Sequence, residues 1–171
     1  MPGARWMALA LLPALLLLAQ DRLADARVAL EELAGGRGRL IPVVHAYLAE
    51  IQARSGDPRV TATADHALAF ATRAGASKEI AQAYRALGLA RGSVGDTSAA
   101  AEHFAEARRR YEELGTRWEV AQTLRDWGRV EIESKDPAAR DRARERLGAA
   151  LTIFQQLGDG RSVEDVRMLL G

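Results

Sequence analysis

Cysteine is absent from the chain, and so is asparagine. The first absence removes disulfide frameworks, thiolate metal sites and cysteine nucleophiles in one step, and leaves the compartment open. Lysine is nearly missing, occurring only as Lys78 and Lys135. Charge of one sign is missing as a bulk property: 24 basic residues against 23 acidic ones give a formal net charge of +1, so no overall field draws nucleic acid or a membrane surface. Aromatics make up 5% and strand-type alternation is nowhere sustained, which points to an all-helical chain. What is present is abundant Ala, Gly and Arg, the usage of a GC-rich genome, so a bacterial source is expected. At 171 residues, 48% hydrophobic and 27% charged, the chain suits one folded domain that buries about 70% of its unfolded surface.

The stretch from Ala81 to Gly115 reads as two helical patterns joined by a Gly95-Asp96 turn. Tyr84, Leu87 and Gly88 follow the spacing aromatic-x2-Leu-Gly, and Ala100 with Phe104 gives Ala-x3-aromatic on the second helix. Gly88 and Ala100 let the helix axes come together, while Tyr84, Leu87 and Phe104 fill the space around the contact. A period repeats the pattern: Gly35, Gly75, Gly115 and Gly158 each follow an apolar run, at separations of 40, 40 and 43 residues. Glycine at such a point is expected as a left-handed C-terminal cap. The pair Ala81-Gln82 recurs as Ala121-Gln122, and Gly56-Asp57 as Gly95-Asp96. The pattern resembles the tetratricopeptide repeat (TPR) over nearly the whole chain. Arg91 stands where that family usually has Tyr, and Glu112 near its closing Pro. The long units, with Tyr111 to Gly115, Trp118, Ala121-Gln122 and Leu151 to Gly158, are similar to the C-terminal TPR arrays of large bacterial signalling ATPases, transcription regulators and nucleotide cyclases.

The fold expected is all-α, an α-α superhelix of four helix pairs plus a short C-terminal capping helix, forming a single repeat domain over 1–171. The units are placed at about 1–39, 40–76, 77–115 and 116–160, with the capping helix at 161–171. His45, Leu48 and Ala49 take the places of Tyr84, Leu87 and Gly88 in the second unit, and Leu124, Trp127 and Gly128 in the fourth. There Ala143 and Leu147 answer Ala100 and Phe104. Asp57-Pro58 and Asp136-Pro137 are read as helix starts, Ser77 and Asp96 as caps, Thr116 as the opening of the fourth unit, and Ser162 with Asp165 as a capping box.

Trp6 to Ala19 has two readings. As a repeat helix it runs directly into Gln20 to Ala26 and pairs with a second helix ending at Leu33; as a secretory signal it offers Arg5, an apolar core and a cut near Ala19. The first reading is preferred, giving a cytoplasmic chain, and an exported TPR assembly factor with residues 1–19 as signal peptide is the alternative. The run is too short and too interrupted by Pro13 for a membrane span. It lacks a polar face, so this end is expected to pack on something else, either a second copy or upstream repeats of which this chain would be the detached tail.

A search for catalysis returns little, and the chain is expected not to be an enzyme. His45, His66 and His103 are isolated, none with a partner at the i, i+4 spacing of a metal site, so neither metal nor cofactor is expected. The glycines of AGGRGRL and GDGRS lack the Lys-Ser/Thr of a phosphate loop and read as helix-ending turns. Arg108-Arg109-Arg110 is offset by Glu106, Glu112 and Glu113, so nucleic acid is not the expected partner. The TPR resemblance implies a concave groove lined by the first helix of each unit, with Glu50, Gln82, Arg85, Leu89, Gln122, Arg125 and Arg129 turned into it. Arginines and glutamines there would favour an acidic or carboxylate-bearing protein or peptide, unless Arg85 and Arg125 pair with nearby acids of the chain itself. The chaperone-tail clamps of the family use Asn and Lys, and the absence of Asn sets that function aside. The function expected is a protein-protein interaction scaffold in bacterial signalling or transcription regulation.

Overall fold

The computed structural model describes residues 2–20, 22–36, 42–134 and 136–171, with no side chain described before residue 10 or at residue 19. Among the described residues the chain is helix and turn with no strand. The helices are α1 (Pro2–Ala19), α2 (Leu23–Gly35), α3 (Pro42–Arg54), α4 (Val60–Ala74), α5 (Ser77–Ser93), α6 (Thr97–Glu113), α7 (Arg117–Ile132), α8 (Pro137–Leu157) and α9 (Gly160–Leu170). Neighbours in sequence pack as neighbours in space: α1 on α2, α2 on α3, α3 on α4, then α6 on α7, α7 on α8 and α8 on α9. This is an all-α helical repeat, with two helices in each expected unit and a final single helix. The chain divides into two compact units, Met1–Ala86 and Leu87–Gly171, the boundary falling within α5.

Small residues set the close approaches. A Cβ added at Gly88 would lie 2.8 Å from the Phe104 ring, and one at Gly128 would lie 2.8 Å from Leu147 Cγ. The repeat pattern had matched these two pairs. Gly92, which it did not single out, is tighter still, an added Cβ meeting Val130 at 2.5 Å. In each case hydrogen is the only substituent that fits without displacing a packed side chain.

The even-numbered helices bury narrow apolar stripes at i, i+3, i+4 spacing: Val60, Ala64, Ala67 and Ala71 on α4, Ala100, Phe104, Ala107 and Tyr111 on α6, and Ala139, Ala143, Leu147, Ala150 and Phe154 on α8. Helices α3, α5 and α7 are buried over a wider arc. In α3 this takes in Val44, His45, Ala46, Leu48, Ala49, Ile51 and Gln52, and in α5 every residue from Ile80 to Ala90 except Tyr84 is buried. An arc that wide cannot be filled by a single stripe, so polar side chains are carried inside with it.

Helix ends follow local chemistry. Gly75, Gly115 and Gly158 take left-handed φ values of 65, 69 and 73°, as the period implied. Gly35 does not: it is the last residue of α2, and the cap passes to Gly36 at φ −106°. Asp96 caps α6 by accepting from Ala99 N (3.1 Å), and Asp136 caps α8 by accepting from Ala138 N (3.0 Å) with Pro137 in the first turn. Asp57 accepts from Arg59 N (2.9 Å) as Asp136 does from Ala138 N, with regular helix beginning at Val60. Two starts differ from expectation: Ser77 is the first residue of α5 and not its cap, and the cap of α9 is Asp159, which accepts from both the N–H and the hydroxyl of Ser162. The expected start of the second unit at Leu40 and most of AGGRGRL lie outside the described residues.

In the first unit Leu11 and Ala14 of α1 join Ala26, Leu30, Val44, Leu48 and Ile51 in one core. Leu12, Leu15 and Leu16 remain on its outer side, 55, 36 and 58% exposed. None of the described helices is long and apolar enough to cross a membrane.

Candidate partner-binding surface

Glu50, Gln82 and Arg85 come together inside the first unit. The Gln82 amide donates to Glu50 Oε2 at 2.6 Å, and the Arg85 guanidinium forms an ion pair with Glu50 Oε1. The Arg85 side chain is 4% exposed and that of Glu50 13%. A guanidinium so nearly removed from water requires a carboxylate partner, and Glu50 supplies it. Arg85 therefore meets an acid of its own chain. Leu89 is buried in the same helix.

On α7 the arrangement is more open. Asp126, its side chain 3% exposed, accepts from Arg125 and from Arg129, both at 3.0 Å, and the two guanidiniums are 17 and 40% exposed. Arg125 also acts on Asp159. Burial opposes the charged form of that carboxyl, but bonds from Trp118 and Ser162, together with the Arg125 charge, outweigh it and hold Asp159 below its usual range. Gln122, half-buried, lies on the same helix one turn before Arg125 and Asp126.

Two further charged clusters were invisible in the sequence. Glu131 of α7 is buried and accepts from Arg142 (3.3 Å) and Arg146 (2.9 Å) of α8. Burial dominates there: it raises the Glu131 carboxyl and lowers the Arg146 guanidinium, against their mutual attraction. The guanidinium carbon of Arg146 also sits 3.8 Å from the Trp127 ring centroid, and Trp127 stacks on Phe104 with centroids 6.0 Å apart. In the first unit Asp57 gathers Arg27 (3.0 Å), the backbone N–H of Arg59 (2.9 Å) and the Arg59 guanidinium (2.7 Å), which reaches on to Glu31 (2.9 Å). Hydrogen bonds from Arg59 first, then the charge of Arg59 and a hydrogen bond from Arg27, hold Asp57 far below the ordinary carboxylate range against its burial.

The histidines are not isolated in space. His45 of α3 and His66 of α4 make an edge-to-face contact with ring centroids 4.7 Å apart, and Phe70 lies 5.7 Å from His45. Their separation of 21 residues has no helical periodicity, which is why spacing could not pair them. No group of three or more His, Asp or Glu among the described residues is placed to hold a metal ion. The Arg108 to Arg110 run is paired as its neighbours suggested, Arg108 with Glu112, Arg109 with Glu106 and Glu113, and Arg110 with Glu106.

The fold thus defines the class, a helical repeat built from sequential helix pairs. Compared with protein-family models and with curated proteins, the chain matches none.

Proposed function

We propose that the chain is a non-catalytic interaction scaffold that presents the polar side of its odd-numbered helices to a protein or peptide partner, as its TPR resemblance implies, in bacterial signalling or transcription regulation. The observation that carries this reading is on α7. Arg125 and Arg129 share the single carboxylate of Asp126 and retain unequal exposure, so Arg129 has donors left for an incoming acid. The Glu50, Gln82 and Arg85 cluster lies within the first unit and is not a ligand-reading group, since its guanidinium is already neutralised. Recognition at α7 would be of a carboxylate, planar and bidentate, on a side chain that needs no rearrangement to receive it.

The test is fluorescence anisotropy with two fluorescein-labelled decapeptides of equal length, one rich in Glu and one rich in Lys. The acidic peptide should bind in preference, and Arg129→Glu should weaken it by about tenfold. Equal binding of both peptides, or acidic-peptide binding untouched by Arg129→Glu with helicity intact, would overturn the reading.

A further inference from the structure

The open residues of α7 form a single row. From Val120 to Glu131 every residue is buried except Gln122, Arg125 and Arg129, whose spacing puts them on one helix face. One turn earlier the same line meets Trp118, 42% exposed, and it ends on Ile132, 36% exposed. Resting on the carboxylate reading of α7 above, we propose that this face recognises a two-part extended segment, an apolar ring laid on Trp118 and a carboxylate about four residues away that reaches Arg125 and Arg129.

Trp118 is held for such a contact by its own chain. Its indole N–H donates to Asp159 Oδ2 at 2.9 Å, and Asp159 is fixed in turn by the N–H (3.1 Å) and the hydroxyl (2.7 Å) of Ser162. The polar edge of the indole is thus satisfied while much of the ring stays in water. An aromatic held in that way loses little conformational freedom on binding. A second ring laid over it adds buried apolar area and an offset or edge-to-face contact.

The acids beside the row are turned to their own partners. The Asp126 side chain is 3% exposed and accepts from both arginines, and Asp159 accepts from Trp118 and Ser162. Outward, the middle of the row therefore presents guanidinium, chiefly that of Arg129.

Spacing ties the two parts together. Trp118 precedes Arg125 by seven residues and Arg129 by eleven, which places the two arginines about 10 and 16 Å along the helix axis from it. Four residues of extended chain span about 13 Å, midway between them, and the alternation of an extended chain returns the fourth side chain to the same side as the first. One carboxylate at that distance can meet both guanidiniums while the ring covers Trp118.

Isothermal titration calorimetry of the full chain with unlabelled decapeptides tests the motif. Each peptide has a block of three Glu; one has Phe four residues before the middle Glu, one has Phe four residues after it, and one has Ala in both places. The better of the two Phe peptides should bind about threefold to tenfold more tightly than the Ala peptide. Trp118→Ala should remove that gain, Trp118→Phe should retain it, and Ile132→Ala at the far end of the row should leave it unchanged, with helicity verified by circular dichroism. Arg129→Glu should weaken all three peptides. A gain that is absent, or that survives Trp118→Ala, would overturn the two-part motif and leave the carboxylate reading to its own test by Arg129→Glu, whereas failure of every acidic peptide to bind would overturn both.

Discussion

Helices α7 and α8 lie against each other and are built on opposite rules. The buried face of α8 is Ala139, Ala143, Leu147, Ala150 and Phe154, a single apolar stripe. That of α7 includes Thr123, Asp126 and Glu131 among its apolar residues. The same contrast separates α4 and α6 from α3 and α5, where Gln52, Gln82 and Arg85 are buried. A stripe is what a helix needs to dock on one neighbour. A wider arc of burial carries polar groups inward, and the buried carboxylates among them are matched, Asp126 by two arginines and Glu131 by two more. Helices α4, α6 and α8 therefore dock through apolar stripes, while α3, α5 and α7 bury polar groups as well.

That contrast predicts where substitutions will hurt. The largest effect should come from an apolar stripe: Phe104→Ala, at a position with no exposure, should cost about 3–5 kcal/mol in urea denaturation. Next are the close approaches. Gly88→Ala and Gly128→Ala should each cost about 1–3 kcal/mol, because Phe104 or Leu147 must give way. Gly148→Ala in α8, with nothing within 4 Å, should instead stabilise by up to about 1 kcal/mol through helix propensity. A Gly148→Ala change of the same sign as Gly88→Ala and Gly128→Ala would break the distinction between contact and open glycines.

Asp57→Asn should follow, at about 2 kcal/mol, since it leaves Arg27 and Arg59 without their shared carboxylate. The pH dependence has a definite sign. Asp57 is held below its ordinary value of 3.8, so the folded chain binds fewer protons there, and this contribution is complete above 3.8 and lost progressively as pH falls beneath it. Chemical denaturation at pH 7 and pH 3 should show a smaller penalty for Asp57→Asn at the lower pH. The smallest effect is expected on the outer surface: Arg109→Ala, in an exposed network with Glu106 and Glu113, should leave the urea midpoint unchanged.

Much of the helix pairing was legible in the sequence. Gly88 with Phe104 and Gly128 with Leu147 followed from a repeated spacing, because close packing restricts those sites to one or a few residue types. The left-handed caps at Gly75, Gly115 and Gly158 were legible for a similar reason, although α2 ends differently, with Gly35 as its last residue and Gly36 capping it at φ −106°. The charged clusters were not. Glu131 reaches residues 11 and 15 positions away, Asp57 reaches back 30 to Arg27, and His45 meets His66 across a turn; no helical period links such pairs. Of the surface residues, Arg125 and Arg129 could be grouped by their one-turn spacing, and pairing of Arg125 with a nearby acid was an open alternative, but nothing in the spacing marks that acid, Asp126, as buried.

The division of labour between the two kinds of helix is tested most directly by charge reversal on each. Arg125→Glu with Arg129→Glu on α7, and Arg108→Glu with Arg109→Glu on α6, would be titrated against the same fluorescein-labelled acidic decapeptide after circular dichroism has confirmed helicity. The α7 pair should weaken binding by about tenfold or more while the α6 pair changes it by less than about twofold. Equal losses from the two pairs, or a loss from α6 alone, would contradict the account.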